Sequence, residues 1–164
     1  MSENAYRIAV LTKYVPDTQF EQKLDDTLRV DRSESVMSEL DEYAVEAAMQ
    51  IVEAEDTDAA NSAVIAFTLG AADASKGLRR ALQLGAHEGV HILDDAFAGA
   101  DALATSRIIA AALSTYEQEH GTFDLILTGM ASTEGETSLV PVQVSELLGR
   151  TGISQVASLS IAGR

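Results

Sequence analysis

With 164 residues, 46% of them apolar and 23% charged, the chain has the size and composition of one globular domain that buries roughly 70% of its unfolded surface. It contains no cysteine, which excludes disulfides, thiol nucleophiles and any cysteine-held zinc, haem or iron–sulfur centre. Its net charge of −15, from 26 acidic against 11 basic residues, opposes docking on nucleic acid or anionic lipid, so a bound nucleotide has to be held by local donors.

The opening MSENAYRI has neither the basic start and apolar core of a signal peptide nor the arginine-rich character of a transit peptide. No apolar run approaches bilayer length, and the expectation is a cytoplasmic protein without membrane insertion. Residues 7–12, RIAVLT, form a continuous apolar run of the kind buried on both faces of a sheet. The next turn lacks the G-x-G-x-x-G of a dinucleotide fold; Lys13, Tyr14, Val15, Pro16, Asp17 and Thr18 stand there instead. Residues 13–37 form a long polar connection in which Leu28 and Val30, at strand spacing, suggest a small hairpin. Ser38, followed by Asp41 and Glu42, resembles a helix start, and Val45, Ala48, Met49 and Val52 share one helical face.

Residues 63–69, AVIAFTL, predict a second buried strand ending at Gly70. A helix over 73–84 is stopped by Gly85, and a third strand covers 90–93. Asp94, Asp95 and Gly99 make a loop, Asp101 opens a helix closed by Gly121, and the apolar residues 125–127 make a fourth strand. A polar loop with Gly129, Ser132, Thr133, Gly135, Thr137 and Ser138 then leads into a helix entered through Pro141 and ended by Gly149. The alternation of Ala157, Leu159 and Ile161 with serine predicts a fifth strand over 155–161. Five strands alternating with four helices give an α/β fold, a Rossmann-like doubly wound parallel sheet with helices on both faces and right-handed crossovers.

In such a sheet, ligands settle at the carboxyl ends of strands, and the free N–H groups opening a helix suit an anion. Residues 123–149 are therefore the candidate site, although an ordinary capped strand-to-helix connection fits the same pattern. There is no G-x-x-x-x-G-K-[ST] loop, G-x-S-x-G elbow or H-E-x-x-H helix. His87 and His91 flank a strand rather than share a helix face, which reads as two polar positions and not a metal pair. Arg79 and Arg80 read as a solvated helix face, and Asp94 and Asp95 as loop and cap residues. Glu134 and Glu136, inside the candidate loop, either accept hydrogen bonds from ribose hydroxyls or repel phosphate.

Four stretches together resemble the beta subunit of electron-transfer flavoproteins: VLTKYVPDT, DEYAVEAAMQI, RRALQLGAHEGVHILDDAFAGADALATSRIIAAAL and DLILTGMASTEGETSLVPVQVSELLG. The resemblance implies a fold akin to the adenine nucleotide alpha hydrolases and a heterodimer with an alpha subunit. It implies an electron carrier without catalytic residues of its own, passing electrons from flavin dehydrogenases, such as acyl-CoA dehydrogenases, to the respiratory chain. The alpha subunit would hold most of the electron-carrying FAD, while this chain binds AMP, or a second FAD in electron-bifurcating relatives. By position, the nucleotide would be lined by Leu11, by Ser38, Glu39, Leu40 and Asp41, and by Leu69. The remaining lining would come from Gly129, Met130, Ala131, Ser132, Thr133, Glu134, Gly135, Thr137, Ser138, Leu139 and Val140. Leu11 and Leu69 would flank the adenine, Ser132 and Thr133 would offer hydroxyls, and the N–H groups from Thr137 to Val140 would cradle the phosphate. The family pattern has glycine where this chain has Thr137 or Ser138, so extra side chains narrow that pocket. Family chains also continue past residue 164, so the resemblance implies that residues 1–164 are a single N-terminal nucleotide-binding domain of a longer subunit. A stand-alone nucleotide-binding module of the universal-stress type is the alternative, but Gly129 and Gly135 do not reproduce its glycine spacing.

Overall fold

A strand with only apolar side chains between its ends has to be covered on both faces, and that requirement organises the fold. The computed structural model describes residues 4–161. Strand β1 (Arg7–Thr12) lies between β4 (Ala63–Leu69) and β6 (Leu125–Thr128), and β5 (Glu88–Ile92) pairs with the far side of β4. All three pairings are parallel, in the order β5-β4-β1-β6, with Leu11 opposite both Phe67 and Thr128.

Side chains of successive strand residues point to opposite faces, and the two cores follow that alternation. Ile8, Val10, Val64 and Ala66 pack with α1 (Glu39–Val52) and α2 (Ser75–Gln83). Ala9, Leu11, Ile65 and Phe67 pack with Ile109 and Leu113 of α3 (Ala102–His120) and Val144 of α4 (Val140–Leu148). The second layer also holds an edge-to-face contact of Phe67 with Phe123, ring centroids 5.8 Å apart, and Tyr116 stacked on Phe123 at 5.4 Å. The expected doubly wound α/β arrangement is therefore present.

Local punctuation behaves as its chemistry dictates. The Asp101 carboxylate accepts from Ala104 N at 2.8 Å to start α3, and Gly149 ends α4 at φ 63 in the left-handed region. The connection after β1 contains an antiparallel ribbon of β2 (Tyr14–Pro16) and β3 (Ser35–Met37), plus a bridge between Leu24 and Val30. His87 and His91 are both occupied by backbone: His87 Nδ1 accepts from Val64 N, and His91 Nε2 lies 3.0 Å from Gly70 O. Arg80 pairs with Glu42 of α1.

The fifth strand is not formed. Residues 155–160 are exposed and have no ladder partner, and only Ile161 packs against the first core. Alternation makes a segment fit for a half-buried edge, but the pattern alone does not dock it on one, and unpaired its backbone stays in water. Among the described residues, no helix is long and apolar enough to cross a membrane.

Candidate functional site

After β1 the chain leaves through α1 toward β4, whereas β6 lies on the other side of β1 and leaves through α4 on the opposite face. The two connections part at the carboxyl ends of β1 and β6, where this strand order sets a crevice between them. This is the switch point where open α/β sheets take ligands. One wall is Lys13 and the start of α1; the other is the loop from Gly129 to Leu139.

Asp41 joins the two walls. From the first turn of α1 its Oδ2 accepts from Lys13 N at 2.7 Å, and its carboxylate also accepts from Gly129 N. Burial pushes Asp41 up to about 7, against the pull of the Lys13 and Gly129 N–H groups and the Lys13 charge. Gly129 is required here by close approach, since a Cβ would sit 2.4 Å from Asp41 Oδ1 and 3.1 Å from the Leu40 carbonyl carbon. Lys13 is gripped from both sides, because its carbonyl accepts from Ser38 N at 2.9 Å.

Ser38 precedes α1, yet its hydroxyl does not cap the helix. It is fully buried and has no hydrogen-bond partner, an orphaned polar atom at the start of α1. Glu39 is exposed and Leu40 half-buried beside it. Leu11 is buried in the second layer and Leu69 lies at its margin. At the same strand ends, the Thr68 hydroxyl donates to Thr12 O at 2.8 Å and the Thr12 hydroxyl donates to Phe67 O at 3.2 Å.

Across the crevice, Gly129 is buried, Met130 is exposed, and Ala131, Ser132, Thr133 and Glu134 are half-buried. Ser132 Oγ accepts from Gly135 N at 3.1 Å and from Lys13 Nζ at 3.3 Å, and Ser132 O accepts from Glu136 N. Glu134 is not a bare charge; it pairs with Lys13 at 3.1 Å and with Arg32. Glu136 and Ser138 hold φ of 49 and 53, in the left-handed region that favours glycine. Thr137, Ser138 and Leu139 are exposed, and Val140 opens α4 just before Pro141. The N–H groups of Thr137, Ser138 and Val140 bond to no described residue, and Leu139 N has only a long 3.5 Å contact with Thr137 Oγ1.

Sequence reasoning missed Lys13 and Arg32 as parts of this arrangement. The available signal was a lysine directly after a buried strand in a strongly acidic chain. Among the described residues, no group of three or more histidine, aspartate or glutamate side chains is placed to hold a metal ion.

The model of the electron transfer flavoprotein domain matches residues 27–164. The chain is similar to the electron transfer flavoprotein subunit beta of Mycobacterium leprae, 38% identical over 159 residues, which cover 95% of this chain and 58% of that protein. It is 34% identical over 158 residues to the caffeyl-CoA reductase-Etf complex subunit CarD of Acetobacterium woodii, covering 94% of this chain and 57% of that one. With protein FixA of Azorhizobium caulinodans the identity is 30% over 162 residues, or 96% and 56% of the two chains. The chain thus spans somewhat more than half the length of these curated relatives.

Proposed function

The chain belongs to the electron transfer flavoprotein family, and from that premise we propose that it serves as the beta subunit of an electron-carrying heterodimer. Residues 1–164 act as one nucleotide-binding domain, working in the cytoplasm. The partner is an alpha subunit that holds most of the FAD, and flavin dehydrogenases supply the electrons. In this reading the switch-point crevice takes AMP, or FAD in the manner of a bifurcating relative.

The observation that carries the reading is the pairing of two unsatisfied sets across one crevice: the buried Ser38 hydroxyl on one wall and the N–H groups of Thr137, Ser138 and Val140 on the other. A nucleotide has the complementary parts, with acceptors and donors on base and sugar for Ser38, and a phosphate for the helix opening. Uncharged backbone donors also suit a protein whose overall field repels anions. FAD, when bound, supplies the electron-storing isoalloxazine ring. The residues of this chain bind and orient, with Ser38, Glu39, Leu40 and Asp41 on one side and Gly129 to Val140 on the other, and Leu11 and Leu69 behind.

The reading is tested by denaturing the purified protein and identifying released small molecules by mass spectrometry, after recording a visible spectrum. AMP without yellow colour supports the ordinary beta-subunit reading, and FAD supports the bifurcating one. A second arm replaces Ser138 with aspartate, which sets a negative charge at the helix opening and weakens AMP binding. Unchanged affinity in that titration refutes the phosphate position.

A further inference from the structure

We propose that Lys13 and Arg32 are positioning residues that act through Glu134 to latch the loop between β6 and α4 over the crevice, and so set how fast an adenine nucleotide leaves it. The proposal rests on the nucleotide reading of the preceding section.

Three observations carry it. First, the contacts cross the crevice: Glu134 belongs to the loop after β6, while Lys13 and Arg32 belong to the connection after β1, one at its start and one in the ribbon loop. Two cations of that one connection converge on one carboxylate, which is only 16% exposed. Second, the lysine is anchored at its backbone. Asp41 and Ser38 hold its main chain, and from that fixed base Lys13 Nζ reaches Glu134 and Ser132 Oγ. Third, the loop so held contains two non-glycine residues in the left-handed region, Glu136 and Ser138. Such a conformation is disfavoured for an isolated chain and persists where surrounding contacts impose it.

The latch is also weak enough to open. Lys13 and Arg32 are 42% and 49% exposed, and ion pairs of that exposure are screened by salt. That gives a signature of opposite sign to bulk electrostatics. Salt screens the repulsion between an acidic protein and an anionic ligand, which favours retention, whereas salt that opens the latch accelerates release.

The test measures dissociation of a fluorescent AMP analogue by stopped-flow displacement with excess AMP, in the wild type and in Glu134→Gln, Lys13→Met and the double variant. Thermal unfolding of each variant is followed in parallel. The expected result is release about three- to tenfold faster in Glu134→Gln, a smaller acceleration in Lys13→Met, where Arg32 still holds Glu134, and no acceleration in the double beyond that of Glu134→Gln. Wild-type release accelerates between about 0.05 and about 0.5 M salt, and Glu134→Gln loses that dependence. A merely structural role would lower the unfolding temperature while leaving release unchanged. AMP binding with release insensitive to salt and to Glu134→Gln overturns the latch alone. A wild type that binds neither AMP nor FAD overturns the nucleotide reading and the latch with it.

Discussion

Gly129→Ala probes the closest approach in the site. The added methyl would lie 2.4 Å from Asp41 Oδ1 and 3.1 Å from a backbone carbon of Leu40, whereas non-bonded atoms settle at about 3.5 Å. The nearest atom is the end of a buried side chain held by Lys13 N, and the backbone of the first turn of α1 stands behind it, so relief requires turning the Asp41 carboxylate off its hydrogen bonds or moving the start of α1 away from the end of β6. Overpacking of this kind costs about 1–3 kcal/mol. The same movement stretches the bond from Gly129 N to the buried Asp41 carboxylate, and hydrogen bonds to charged groups contribute about 1.5–3 kcal/mol. The expected loss is about 2–4 kcal/mol, read in urea unfolding as a midpoint lower by about 1–2 M at the slopes usual for small domains. The alanine change is then repeated in an Asp41→Ala background. There the nearer contact is gone and only the Leu40 contacts remain, so the second cost falls by at least about 1 kcal/mol, as expected for residues in contact. A Gly129→Ala variant within about 0.5 kcal/mol of wild type, or strict additivity with Asp41→Ala, refutes the reasoning.

Asp41 carries a further expectation about pH. Its folded carboxyl is raised to about 7 by burial, so between about pH 4 and 7 the folded chain keeps a proton that the unfolded chain has lost. Stability from this group is complete below the unfolded carboxylate range and is lost as pH rises through about 7, by up to about 4 kcal/mol. The difference in unfolding free energy between wild type and Asp41→Asn, measured across that window, should follow this slope; a difference independent of pH contradicts it. Arg150, just beyond α4, donates to Phe123 O at 3.1 Å and pairs with Glu117, whose carboxylate also accepts from Phe123 N. Glu117 is only 13% exposed, so Arg150→Ala leaves a largely buried carboxylate short of a partner and costs about 1–3 kcal/mol in the same urea assay. Arg150→Lys should recover little of that loss, because one ammonium does not reproduce the planar fork.

Much of the fold was legible in sequence because the relevant signals are local. Apolar runs at 7–12 and 63–69 make doubly buried strands, Asp101 caps a helix through its own turn, and Gly149 takes a left-handed φ. Pro141 near the start of α4 follows from a missing N–H that no helix start needs. The segment 155–161 shows where such signals stop being sufficient. Its alternating pattern states what a strand there would bury, but a strand exists only where it docks on an edge, and this segment pairs with neither open edge of the sheet, β5 or β6.

The site divides the same way. The sequence by itself determined that a polar loop and a helix opening follow the last strand, since strand, loop and proline-entered helix are written in consecutive residues. It also placed Ser38 and Asp41 at the start of α1. Tertiary structure alone decided that Asp41 grips Gly129, that Glu134 is neutralised by Lys13 and Arg32, and that the Ser38 hydroxyl is left without a partner. These depend on the order β5-β4-β1-β6, which sets the ends of β1 and β6 side by side. Charge pairing across a crevice leaves no periodicity along the chain, because its strength depends on distance in space and on exclusion of water rather than on spacing in sequence.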